Sequence, residues 1–264
     1  MNYPNSIIDW KNTYNKKIFQ STLMIKNLSL GDLAQQLSNF SSKNIELNLT
    51  PLMNNLDLDL GQLEMFRDYD LILDGGWCNF FNDGFVNSEI KERQLNISKY
   101  LGNPPLRLFF GNSVGDDVRY LTRSIQNLTD EYPEQLFFFE THDQISSNYD
   151  WLASIANEIN RINFGLVLDP VNVIVNEGRG IEQDLNSISR YVAHIHLKGL
   201  DELFEYTPVH NNRIEYFNHV VNECTQWSFA VEIEPNDTYT LNDLNDAYKY
   251  SEHKINNLQG QDSS

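Results

Sequence analysis

Residues 136–141 read LFFFET, residues 106–111 read LRLFFG and residues 70–75 read DLILDG. Each run is nearly continuous in apolar side chains and stops at a polar residue or a glycine. A strand wet on one face alternates apolar and polar residues, so runs this apolar are strands covered on both faces, the signature of a parallel sheet. Parallel neighbours need a crossover between them, usually a helix. Working outward, five further runs share the pattern: 18–24 (IFQSTLM), 44–49 (NIELNL), 164–169 (FGLVLD), 192–197 (VAHIHL) and 228–233 (SFAVEI). Polar stretches with helical spacing lie between them, among them Leu30–Phe40, Gly115–Tyr132, Asp150–Ile162, Glu182–Arg190, Ile214–Gln226 and Leu241–Tyr250. Eight such units in 264 residues predict an α/β fold, a single (β/α)₈ TIM barrel over residues 1–250, followed by a polar, loose tail over 251–264. An open doubly wound sheet is the alternative. It predicts a glycine-rich phosphate loop, and neither GxGxxG nor GxxxxGKS/T occurs in the chain.

Composition narrows the function. Nineteen Lys and Arg face 37 Asp and Glu, a net charge of −18. Nucleic-acid affinity rests on cations neutralising phosphates, so this excess repels polyanions and anionic membrane surfaces alike. The two cysteines, Cys78 and Cys224, are far apart and in no metal-ligand spacing, which excludes a disulfide framework and a zinc ribbon. The N-terminal stretch MNYPNSIIDWKNTYNKK lacks the apolar core of a signal peptide, and no window reads as a membrane span. The expectation is a cytoplasmic protein.

A barrel of this kind places its chemistry at the C-terminal ends of its strands. Glu140 and His142 close the fifth run, Asp169 the sixth, His194 and His196 stand in the seventh, and Glu232 and Glu234 close the eighth. Alternate residues of a strand share a face, so each of these pairs points one way. If the sheet closes, Glu140, Asp169, His196 and Glu232 surround one point. Three carboxylates and an imidazole repel and strand one another when empty, whereas a divalent cation turns the repulsion into coordination. An oxygen-rich set favours Mn²⁺, Mg²⁺ or Co²⁺, with catalytic Zn²⁺ also compatible. Taken singly, Asp169 before Pro170 reads as a helix N-cap, and His194 as a satisfied interior histidine rather than a metal ligand. Trp77, Phe80 and Phe81 either wall a small-molecule pocket or pack as core.

These motifs resemble the xylose isomerase-like superfamily of sugar isomerases and epimerases, which includes ketose 3-epimerases, inosose and dehydroshikimate dehydratases and endonuclease IV. FFFETHD (137–143) resembles its Glu-x-His strand end, and GLVLDPVN (165–172) its Leu-Asp-Pro segment. HIHLKG (194–199) is similar to its His-x-His-x-Lys strand, and FAVEIEP (229–235) to its last Glu-bearing strand. The resemblance implies a metal held by Glu140, Asp169, His196 and Glu232, Glu140 and Glu232 as the catalytic base and acid, and His142, Lys198, Asn172 and Trp77 on the substrate side. The implied activity is metal-dependent isomerisation or epimerisation of a small polyhydroxylated carbonyl compound through an enediolate. A dehydratase on the same barrel and a catalytically lapsed barrel serving as a binding component are the alternatives. The expected partner is a small sugar-like molecule, and a homo-oligomer is compatible with the pattern. The chain also departs from it. Asn172 stands where several epimerases carry a histidine, Gly199 follows Lys198 where many members have aspartate, and PVHNNRIEYF (208–217) replaces a Pro-Gly-x-Gly loop. The third and fourth strand ends, LDGGWCN (73–79) and FFGNS (109–113), lack the histidines of an endonuclease IV-like three-metal site.

Overall fold

All eight runs form strands in the computed structural model, which describes residues 3–55, 58–78, 80–82, 85–111, 118–142, 146–177, 185–201, 205–211, 227–234 and 238–261. The strands are β1 (Ile18–Ser21), β2 (Asn44–Asn48), β3 (Asp70–Asp74), β4 (Leu106–Phe109), β5 (Phe137–Glu140), β6 (Phe164–Leu168), β7 (Val192–Leu197) and β8 (Ser228–Val231). Each pairs in parallel with its sequence neighbours, and β1 pairs with β8, so the sheet closes. The open-sheet alternative is thereby excluded. Helices α1 (Ile7–Tyr14), α2 (Leu30–Leu37), α3 (Thr50–Asn54), α4 (Ser88–Tyr100), α5 (Val118–Glu131), α6 (Tyr149–Ile159), α7 (Pro170–Glu177) and α8 (Leu241–Gln261) accompany them. Of the helices expected from spacing, Ile214–Gln226 lies outside the described residues, as do residues 115–117 and 182–184. The described end of the Glu182–Arg190 stretch is a short 3₁₀ turn, Leu185–Ser187.

Strand periodicity sorts the side chains into two cores. Outward-facing residues such as Ile45, Leu47, Leu71, Leu73, Leu106 and Leu108 pack under the helices. Inward-facing Phe19, Ile72, Phe138, Val167, Ala193 and Ala230 fill the base of the barrel. The base is stoppered by α1, whose Ile7, Trp10 and Tyr14 fall on one helical face. Trp10 stacks on Tyr14 at 4.0 Å, meets the edge of Phe138 at 5.3 Å, and donates its indole N–H to Ser228 Oγ at 3.2 Å. Gly165 makes room for this stopper, because a Cβ there would lie 2.7 Å from Ile7 Cδ1 and 3.1 Å from Ala193 Cβ. Gly165→Ala is therefore expected to cost about 1–3 kcal/mol by overpacking, read as a lower urea midpoint; an unchanged midpoint would mean that α1 does not bear on the strands.

Helix α8 runs through Gln261, into the stretch expected as a tail, because Leu244, Ala247, Tyr248, Ser251 and Ile255 recur at helical spacing and are buried. The polar composition of that stretch belongs to its exposed face.

Candidate active site at the barrel mouth

The inward period-two pattern that fills the base with apolar residues turns polar toward the strand ends. Along β7, the sheet register steps over Ala193, pairing Leu166 with Val192 but Val167 with His194. This bulge leaves Ala193 in the basal layer and sends both His194 and His196 inward. His196 is fully buried, and its Nδ1 lies 3.2 Å from Glu140 Oε1, 3.5 Å from Glu232 Oε2 and 3.8 Å from Asp169 Oδ2. The four side chains expected to share a site are thus brought within a few ångströms of one nitrogen. Asp169 serves two ends at once. Its Oδ1 caps α7, accepting from the backbone N–H of Val171 and Asn172 at 3.0 Å each, which leaves Oδ2 for the site.

The opposite half of the barrel contributes three charges that sequence reading did not single out: Glu46 on β2, Asp74 on β3 and Arg107 on β4. The Arg107 guanidinium is buried and reaches all of them, with Nε 2.6 Å from Glu46 Oε1 and Nη2 2.5 Å from Asp74 Oδ2, while Nη1 pairs with Glu140 Oε2. Asn48 also donates to Asp74 Oδ2, at 2.5 Å. A signal was present. In NIELNL, DLILDG and LRLFFG, Glu46, Asp74 and Arg107 sit in phase with the inward face, where an apolar strand has no reason to carry a charge.

Lys198 closes the ring from just beyond β7. Its Nζ lies 2.6 Å from Glu232 Oε1 and 2.9 Å from both Asp169 Oδ2 and Glu234 Oε1. Five buried carboxylates (Glu46, Asp74, Glu140, Asp169 and Glu232) therefore face two permanent cations, Arg107 and Lys198. Burial alone would raise the Glu46 carboxyl, but the charges of His196 and Arg107 outweigh it and hold it well below the usual range. Burial, with Glu46 and Glu232 nearby, instead raises Asp74 against the pull of Arg107. Burial would also lower His196, yet Glu46 and Glu232 push it up to about 9. His194, dominated by burial, falls to about 4. The site carries more negative charge than its own cations balance.

The donor set fits a divalent cation. With bonds of about 2.1 Å, neighbouring donors in octahedral or tetrahedral coordination stand roughly 3.0–3.4 Å apart. One atom each from Glu140, Asp169 and His196 lie mutually within 4.8 Å, as do one each from Glu46, His194 and His196, and both ring nitrogens of His196, both Glu46 oxygens and Glu232 Oε2 are buried without a hydrogen-bond partner. Glu140, Asp169, His196 and Glu232 are the residues that would hold such an ion.

The residues expected on the substrate side are placed unevenly. His142 stands at the mouth with its ring 4.1 Å from that of Phe109, and burial followed by the charges of Lys198 and Arg107 lowers its pKa. Asn172 is buried beside Glu140, its Nδ2 3.5 Å from Glu140 Oε1, donating to Thr141 O at 3.0 Å and accepting from the Tyr206 hydroxyl at 3.0 Å. The Trp77 side chain lies outside the described residues. Phe80 and Phe81 pack as core, with Phe81 5.5 Å from the Phe139 ring. Gly199, where the resemblance leads one to expect aspartate, has a structural cause. It begins a two-stranded ribbon with Tyr206–Thr207, and a Cβ there would lie 2.7 Å from the carbonyls of Thr207 and Pro208.

No protein-family model matches the sequence, and no curated protein matches it. Solved structures do. A xylose isomerase domain-containing protein from Salmonella typhimurium LT2 aligns over 97% of this chain and 99% of its own, with a TM-score of 0.68 at 12% identity. A probable 3-DHS dehydratase, AsbF, from Bacillus anthracis aligns over 89% and 97%, with a TM-score of 0.66 at 14% identity. The D-psicose 3-epimerase of Clostridium cellulolyticum H10 aligns over 92% and 97%, with a TM-score of 0.61 at 10% identity. The fold is the xylose isomerase-like (β/α)₈ barrel. Proteins that share it include sugar epimerases and a dehydratase.

Proposed function

We propose that this protein is a metal-dependent isomerase or epimerase of a small polyhydroxylated carbonyl compound, with the ion held by Glu140, Asp169, His196 and Glu232. The observation that carries the reading is the convergence of one donor atom from each of four successive strands around His196 Nδ1. Bound there, a divalent ion supplies Lewis acidity and a template for a carbonyl and its adjacent hydroxyl. The chain's own residues handle the proton. Glu140 and Glu232 reach the site from β5 and β8, and each has one oxygen facing His196 and the other paired with a cation, Arg107 or Lys198. A general base must be ionised before it accepts a carbon-bound proton. Glu232 meets that need, since Lys198, His196 and Arg107 outweigh its burial and keep it below its ordinary value. In the proposal Glu140 and Glu232 exchange the proton between substrate carbons or faces, Lys198 offsets the negative charge that develops on oxygen, and His142 holds a substrate hydroxyl.

No described helix is long and apolar enough to cross a membrane. The likeness to AsbF favours one second reading, in which the same deprotonation is followed by loss of a β-hydroxyl as water. Incubation of the Mn²⁺-loaded protein with ketoses, inososes and hydroxy-keto acids in D₂O tests both. Deuterium in an isomerised product supports the proposal, a dehydrated product supports the second reading, and neither across a broad panel with bound ion confirmed overturns both. Metal dependence has its own measure. Saturation at 100 times Kd adds about 2.7 kcal/mol to a native state that alone binds the ion, so Tm is expected to climb with Mn²⁺ or Co²⁺ concentration.

A further inference from the structure

The two ring nitrogens of His196 are turned to opposite sides of the barrel interior. Nδ1 faces the oxygens of Glu140, Asp169 and Glu232, whereas Nε2 lies 3.2 Å from Glu46 Oε2. A neutral imidazole carries one N–H and one lone pair, and the partner of one nitrogen decides where the other's lone pair points. An ion among the three carboxylates needs the lone pair on Nδ1, and therefore the proton on Nε2. We propose that Glu46 is a positioning residue of this site: by accepting the Nε2–H it fixes the tautomer and the ring orientation that present Nδ1 to Glu140, Asp169 and Glu232. The role rests on the cation reading given above.

Glu46 is built for such a role. It is fully buried, and Arg107 Nε holds its other oxygen at 2.6 Å, so the accepting oxygen cannot swing away without breaking a buried ion pair. His194 Nε2 stands farther from the same oxygen, at 3.5 Å, the limit of a hydrogen bond, while its Nδ1 is engaged by Ser228 Oγ at 2.7 Å. The His194 ring meets His196 edge-on, 5.7 Å between centroids and 89° between planes, and thereby walls the side on which the His196 ring could rotate. One guanidinium thus backs two of the four donors, Glu140 directly and His196 through Glu46. Outer carboxylates that fix a ligating imidazole in this way are worth roughly 10–100-fold in metal affinity.

Zn²⁺ is the probe, because it is diamagnetic and suits the same donors. Long-range ¹H–¹⁵N spectra of the Zn²⁺-loaded wild type are expected to show the His196 proton on Nε2, shifted downfield by a carboxylate acceptor. Glu46→Leu should lose that shift and bind Zn²⁺ roughly 10–100-fold more weakly. Glu46→Gln keeps an acceptor oxygen and the side-chain volume, so it should rescue affinity to within about tenfold of wild type and keep the Nε2 proton. Because the leucine variant leaves Arg107 short of a partner, circular dichroism must show it folded; if it is not, the Nε2–H shift in Glu46→Gln decides. A proton on Nδ1 in the loaded wild type, or a shift and affinity unaltered in both variants, overturns the role of Glu46 alone. Two Zn²⁺ ions per chain, one lost in His194→Gln, would make Glu46 a ligand and overturn it as well. Failure of the wild type to bind Zn²⁺, Mn²⁺ or Co²⁺ would overturn the cation reading itself and this role with it.

Discussion

Arg107→Leu is expected to destabilise the protein by about 3–5 kcal/mol, the cost of stripping one partner from a buried ion network. The wild-type guanidinium pairs with Glu46, Asp74 and Glu140, and all four side chains are buried. Leucine fills much of the same space, so packing loss is the smaller share. The larger share is three carboxylates left in a low-dielectric interior with Lys198 as the remaining permanent cation. Neutralising an acid should then help: Glu46→Gln added to Arg107→Leu is expected to recover part of the loss, although the same substitution alone breaks an ion pair. Urea denaturation of the four proteins in a cycle measures this coupling. A loss below about 1 kcal/mol in Arg107→Leu would place the guanidinium at the surface and contradict the interior network.

Glu140→Gln and Glu232→Gln are each expected to lower turnover by about 10²–10⁴-fold, the range for loss of a positioned general acid or base, and to abolish most of the rise in Tm with Mn²⁺. Glutamine preserves shape but accepts no proton at neutral pH and is a poorer ligand. The two substitutions also separate the neighbouring cations. Glu140→Gln weakens the link to Arg107, whereas Glu232→Gln weakens the link to Lys198. Comparable losses of Mn²⁺ response from both sides would show that the ion sits between them. A full response retained by both variants would put the ion elsewhere, and turnover retained by either would remove that residue from the proton exchange.

The sequence alone determined the strands and the direction of their chemistry. Apolar runs of strand length are local signals, since a residue's period in an extended chain depends on its immediate neighbours; 192–197 coincides with β7, and the other runs exceed their strands by one to three residues. The same period placed Glu140, Asp169, His196 and Glu232 at strand ends, because each stands at the last or next-to-last position of its run. Other features depend on closure. Glu46, Asp74 and Arg107 are charges in apolar runs, and each looks costly until the barrel brings them against one another and against Glu140. The stopper at the base follows the same logic. Residues 7–14 form a short amphipathic helix with no partner in their own neighbourhood of the chain, and only the folded sheet supplies Phe138, Ala193 and Ser228 from more than a hundred residues away to receive it. Helix α8 extended past the expected boundary because Ser251 and Ile255 find burial against the barrel, which composition does not register. The orientation of the His196 ring is decided last of all: a histidine in HIHLKG has two nitrogens of equal standing, and it takes Glu46 on one side and three carboxylates on the other, from four different strands, to tell them apart.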